Sequence, residues 1–384
     1  MPARPTRRRA LARSLVASLA GALILMTLLA CAPAAQPSAA GPASAATSAP
    51  PAAVPAASSL AAQDAAPAPS AALQTVTIGV INTIADAPFY LADKRGYFRE
   101  AGIQPEMQVF QSGALMIAPL SADQLDVVGG GALSAGLYNA VGRNINLHIV
   151  SGHYGEDGSI ASVLRKDLVD SGRVKSVADF KGLKLQLAAE CIEPEVSAAQ
   201  YLATGGLTMN DVETVYMAFG DVPAAIANGS LDVANPPEPL PILMEGNGTG
   251  VILHRYETNR QLAVMLYSPA FSSRKELATG FMEAVLRGKR DYYNALFGDR
   301  RDRDEVIQIM IDTTPVKQRA LYDQIVLPRV DPNGDLNRAS MAEDQEYYLA
   351  KGCQPQRIDL ARAIDTSFLD AALERLGRYQ GGSP

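Results

Sequence analysis

From residue 75 onward, short apolar runs alternate with segments whose apolar residues recur every three or four positions, the two periodicities of strands and amphipathic helices. Residues 75–81 (TVTIGVI) are β-branched and apolar and stop at Asn82-Thr83, which predicts a buried strand. Pro88 suits the first turn of a following helix whose apolar side carries Phe89, Leu91 and Ala92. Residues 104–110 predict a second strand, and Ser112 an N-cap for a helix reaching Ala118 before Pro119. Residues 125–128 predict a third strand running into Gly129-Gly130-Gly131, then a helix over 133–141 and a strand over 147–150.

A second unit repeats the alternation. Strands are predicted at 184–187, 212–217, 231–234 and 251–253, with helices over 196–204 and 223–228. Beyond Lys275 the pattern turns helical, at 275–296, 303–312, 317–327, 338–351 and 360–376. Strand–helix alternation with short turns predicts α/β units with largely parallel sheets. Two such units, the first completed by the C-terminal helices, predict two lobes with a cleft between them. Ligands of open parallel sheets sit beyond the carboxyl ends of the strands. Those ends fall at 82–86, 110–112, 129–134, 151–154, 187–193, 219–221 and 235–238.

Composition changes the picture chiefly at the N-terminus. Arg7-Arg8-Arg9 precedes an apolar run over 14–29, shorter than a spanning helix prefers, and the pattern reads as an export signal. Leu28-Leu29-Ala30-Cys31 resembles the bacterial lipobox, which implies lipidation of Cys31 and an anchor facing away from the cytoplasm. Residues 32–72 are nearly all Ala, Pro and Ser, a composition that cannot bury enough side chain to order itself and reads as a tether. The expected division is therefore a signal at 1–30, lipidated Cys and tether at 31–74, a first lobe at 75–158 and a second at 159–263. Residues 264–384 return to the first lobe and supply the C-terminal helices.

Beyond Cys31 the chain carries 29 Lys and Arg against 40 Asp and Glu, with no basic stripe, which argues against a nucleic-acid partner. Three His and three Cys in no zinc spacing give neither a metal site nor a catalytic triad, so no metal or cofactor is expected. Cys191 and Cys353 read first as two unpaired small apolar side chains, with a disulfide between them as the alternative.

Three motifs carry a resemblance. Residues 87–103 (APFYLADKRGYFREAGI) contain a helix ending at Gly-Tyr-Phe, and residues 120–131 (LSADQLDVVGGG) lead a strand into a small-residue loop. Residues 224–234 (AAIANGSLDVA) run into Pro236-Pro237-Glu238-Pro239. In this order they resemble the nitrate, sulfonate, taurine and thiamine-precursor binding proteins. The resemblance implies a two-lobed type II periplasmic-binding-protein fold with a helical C-terminal region, working as a monomer that delivers a small molecule to an ABC permease. Fungal thiamine-pyrimidine synthases are related enzymes. They use a Cys cluster that this chain lacks, so a catalyst is not expected.

At the predicted strand ends stand Asn82, Asp86, Phe89, Ser112, Gly130, Ser134, Tyr154, Glu190, Glu193, Phe219, Asp221 and Glu238, the expected ligand contacts. Anions need cations or clustered donors. The acids among these residues suit instead a ligand rich in N–H and O–H donors, with Tyr154, Tyr216, Phe219 and Tyr267 as a stacking wall. The expectation is a planar vitamin-type heterocycle, riboflavin ahead of a thiamine pyrimidine precursor, with sulfonate or nitrate behind both.

Overall fold

A computed structural model describes residues 72–143 and 147–381. The signal, Cys31 and nearly all of the tether lie outside the described residues. No described helix is long and apolar enough to cross a membrane.

Among the described residues, ten strands form two five-stranded sheets. The first holds β1 (Gln74–Val80), β2 (Ile103–Val109), β3 (Val127–Ala132), β4 (His148–Gly155) and β10 (Gln261–Tyr267), in the order β2-β1-β3-β10-β4. The second holds β5 (Ala161–Arg165), β6 (Lys184–Leu187), β7 (Glu213–Tyr216), β8 (Val233–Ala234) and β9 (Gly250–Arg255), in the order β7-β6-β8-β5-β9. Both sheets are mixed rather than largely parallel. In the first, β1 is parallel to β2 and β3, while β10 runs antiparallel to β3 and β4. In the second, β6 is parallel to β7 and β8, while β5 is antiparallel to β8 and β9. The antiparallel members, β5 and β10, are the strands the chain enters first after each crossing between lobes.

Two crossings join the lobes side by side. Glu156 and Asn259 exchange backbone bonds across them with Arg260 (2.9 Å) and Glu156 (3.0 Å), and Gly158 N–H donates to Tyr256 C=O at 2.7 Å. The long helix Lys275–Leu296 then returns to the first sheet. Its apolar positions Leu277, Phe281, Met282, Val285, Leu286, Tyr292 and Leu296 recur at helical spacing and are buried. Gly288 lets this helix approach the Ala87–Lys94 helix closely, since a Cβ there would lie 2.2 Å from Pro88 O.

Other expectations need correction. Ser112 makes no capping bond; a 3₁₀ turn, Gly113–Met116, precedes a short helix, Ile117–Ser121. A side-chain cap does form at the next helix, Ala135–Gly142, where Ser134 Oγ accepts from Leu137 N–H at 3.2 Å. Residues 317–327 form only a 3₁₀ turn, Arg319–Asp323. There the β-branched pair Ile325-Val326 and a residue preceding Pro328 disfavour the α conformation. The last predicted helix breaks into Leu360–Ala363 and Ser367–Leu376, because Ile364 bridges to Ile149 and Asp365 N–H donates to Ile149 C=O at 3.0 Å. Cys191 and Cys353 are joined by a disulfide (Cα–Cα 6.4 Å), the alternative to the unpaired reading. Their 162-residue separation in sequence hid a proximity that only the return of the C-terminal helices creates.

Candidate functional site

Loops from both lobes line a cleft whose cavity is ≈ 120 Å³, within a wider space of ≈ 970 Å³ that includes open solvent. The first lobe contributes 81, 83–85 and 111–114, with Ser134, Tyr154, Leu262 and Pro328; the second contributes Ser159, Ile160, Ala188, Ala189, Ile192, Pro194, Phe219, Pro237 and Glu238. The surface is mainly apolar. Hydroxyls of Thr83, Ser112, Ser134, Ser159 and Tyr154, the Gln111 amide and one carboxylate, Glu238, interrupt it, and among the described residues no Lys, Arg or His lines it. Two lining loops are held by left-handed residues, Asn82 (φ 57°) and Cys191 (φ 55°), a conformation Asn tolerates better than Cys.

Five of the expected contacts meet in this cleft: Ser112, Ser134, Tyr154, Phe219 and Glu238. Glu238 is buried and pairs with Arg255 at 2.7 Å, and burial raises its carboxyl above the usual range against the opposing pull of Arg255. Burial likewise raises the Tyr154 phenol.

The other seven stand elsewhere. Asn82 adjoins the lining, and Tyr90 Oη donates to its side chain at 3.4 Å. Asp86 lies behind the floor, where its carboxylate accepts from Thr83 N–H at 2.8 Å; burial pushes it up to about 6. Phe89 belongs to the core under the first sheet. Gly130 sits in β3, where a Cβ would lie 2.9 Å from the His153 ring, so its smallness serves that packing. Glu190 is exposed and pairs with Lys351 at 3.4 Å. Glu193 is buried against Arg260 (3.0 Å), and Asp221 is exposed at the start of a helix. Of the expected aromatic wall, Tyr216 is exposed, and Tyr267 is a core residue donating to Ala278 C=O at 3.1 Å. His153, the nearest potential cation, is fully buried beside Phe89 and Tyr154. Burial, then the nearby Lys289, drive its pKa well down, so it stands neutral.

Residues the sequence reading missed include Thr83, Gln111, Ser159, Ala188 and Ala189. Most lie on or beside the strand ends already marked, where strand prediction finds the loop but not which side chain turns inward. Leu262 and Pro328 carry no such signal, because they reach the cleft through the interlobe crossing and the C-terminal return.

The NMT1/THI5-like family model matches residues 84–295. No curated protein matches by sequence. Among solved structures, the alkanesulfonate-binding protein of Xanthomonas axonopodis pv. citri bound to MOPS is 18% identical, with 78% of this chain and 99% of that chain covered at a TM-score of 0.60. The periplasmic aliphatic sulphonate-binding protein of Escherichia coli is 16% identical, covering 77% and 99% at 0.61. The periplasmic nitrate-binding protein of Synechocystis PCC 6803 is 13% identical, covering 79% and 89% at 0.58. At these identities the likeness establishes the two-lobed type II fold.

Proposed function

The chain belongs to the NMT1/THI5-like family, and from that premise we propose that it is the extracytoplasmic ligand-binding component of an ABC importer, capturing an uncharged planar heterocycle. The observation that carries the ligand class is that no Lys, Arg or His among the described residues lines the cleft. Two of the helix N-termini beside the cleft do not replace a cation. The helix Ala87–Lys94 follows Asp86 and has Pro88 in its first turn; the helix Glu193–Thr204 opens Glu193-Pro194-Glu195. Each start already carries its own carboxylate, and proline removes a donor an anion would use. Sulfonate and nitrate, the ligands named for the solved relatives, are therefore poor matches for these side chains.

A flat ring suits the aromatic faces of Tyr154 and Phe219, and ring or side-chain N–H and O–H groups suit Glu238, Gln111 and the hydroxyls. Riboflavin, with a fused ring and a hydroxylated chain, uses both kinds of surface and is preferred over the smaller thiamine pyrimidine. Neither lobe is read as a catalyst: the two described cysteines are bonded to each other, leaving none free as a nucleophile. Lipidation at Cys31 would hold the protein at the membrane beside its permease.

The test is a fluorescence titration of riboflavin with protein lacking residues 1–71, run beside the aminopyrimidine portion of thiamine, MOPS and nitrate. Saturable quenching that MOPS does not compete away supports the reading. Tight binding of MOPS or nitrate with no riboflavin response would overturn it.

A further inference from the structure

The disulfide does not lie within one lobe. Cys191 belongs to the 188–192 loop that follows β6 in the second lobe and lines the cleft through Ala188, Ala189 and Ile192. Cys353 follows the helix Arg338–Lys351, which packs in the first lobe's core: Met341 and Tyr348 cluster with Leu137, Tyr138 and Val264, and Tyr138 Oη donates to Met341 C=O at 2.9 Å. Other bonds cross at the same edge. Ala135 N–H donates to Cys191 C=O, and Glu193 N–H to Leu133 C=O, both at 2.9 Å. Tyr347 Oη donates to Glu195 at 3.0 Å, and Lys351 pairs with both Glu195 and Glu190. Gln111–Ala114 of the first lobe and Phe219 of the second also line the cleft, and among the described residues no second disulfide joins them.

We infer that the Cys191–Cys353 disulfide is a strap across the lobes: it positions the 188–192 loop for ligand and holds one edge of the cleft closed, so that ligand enters and leaves at the other. Cys191 is held in a left-handed conformation that its own side chain does not favour, so the surroundings must impose the loop's shape. Fixing a binding loop in advance strengthens binding by removing the ordering cost. The strap rests on the two-lobed binding reading only for its effect on ligand. In reduction by a dithiol, the S–S bond breaks, two electrons and two protons pass from the dithiol to the two cysteine sulfurs, and the dithiol closes to its own disulfide.

The experiment compares the wild type, dithiol-reduced wild type and a C191A/C353A variant, each lacking residues 1–71. Backbone amide exchange is followed without ligand, and riboflavin affinity is measured in parallel. Exchange over 188–195 and 133–137 is expected to rise about tenfold on loss of the bond, with the sheet cores unchanged. Riboflavin binding is expected to weaken by roughly tenfold, chiefly through faster release. Unchanged exchange at those segments overturns the strap, whatever riboflavin does. Faster exchange with no riboflavin binding in any form upholds the strap and removes only the ligand assignment. If C191A/C353A does not fold, the reduced wild type decides on the same exchange readout.

Discussion

Glu156 and Glu193 meet across one hydroxyl: Ser197 Oγ lies 2.6 Å from a Glu156 oxygen and 2.9 Å from a Glu193 oxygen. A hydroxyl has one proton to donate, so the second contact is favourable only when that carboxyl is itself protonated. Asp344 stands on the far side of Arg260, the cation they share. Burial raises all three carboxyls, against the opposing pull of Arg260.

Thermal stability should therefore fall as pH rises. Burial pushes Asp344 up to about 7 and Asp86 up to about 6, from ordinary values near 3.8. A raised carboxyl costs nothing below its unfolded pKa, where both states are protonated, and imposes its full penalty above its folded one. Tm should drop between about pH 4 and about pH 7, and Asp344→Asn should flatten that slope. A Tm that climbs over the same window would refute the assignment.

Arg260→Met should destabilise the protein strongly, by about 3 kcal/mol at neutral pH, because it strands buried carboxylates without their cation. The loss should shrink at pH 5 as those groups take up protons. Urea unfolding at the two pH values makes the comparison.

In the cleft, Phe219→Ala should weaken riboflavin binding about tenfold through lost ring contact, with little change in Tm because the side chain is only half-buried. Glu190→Ala, outside the lining and exposed, should leave affinity within about twofold. Equal losses from both variants would place the ligand elsewhere.

Gly288→Ala should cost about 2 kcal/mol, since its Cβ would meet the Pro88 carbonyl at 2.2 Å and force two packed helices apart. Denaturant unfolding with an unchanged midpoint would mean that the helices separate freely.

At the N-terminus, Cys31→Ala should abolish incorporation of labelled palmitate and release the protein from membranes in a fractionation assay. Persistent membrane association without label would point to an uncleaved apolar anchor instead.

Local pattern made much of this fold readable. The run TVTIGVI, the Pro88 helix and the 275–296 stripe each state their own periodicity, and each forms as an element. The antiparallel strands β5 and β10 are not among the predicted strands, although residues 161–165 and 261–267 form them. A continuous apolar run such as QLAVMLY does not reveal its direction. In the cleft, strand ends identified the loops, and Ser112, Ser134, Phe219 and Glu238 turn inward from them. Charge misled the choice at Glu190 and Glu193, whose partners Lys351 and Arg260 are far away in sequence and absorb them before any ligand can.

Strand order also bears on how the chain comes into being. In the first sheet β10 lies between β3 and β4, so β4 has no neighbouring strand until residues 261–267 arrive. The second sheet needs only residues 161–255 and can assemble while the first waits. A chain emerging N-terminus first thus carries an unfinished leading lobe past a lobe able to finish ahead of it. Those long-range pairings are slow to form, and the delay keeps the leading lobe's β3 and β4 unpaired with each other's bridging strand while the chain is still in transit.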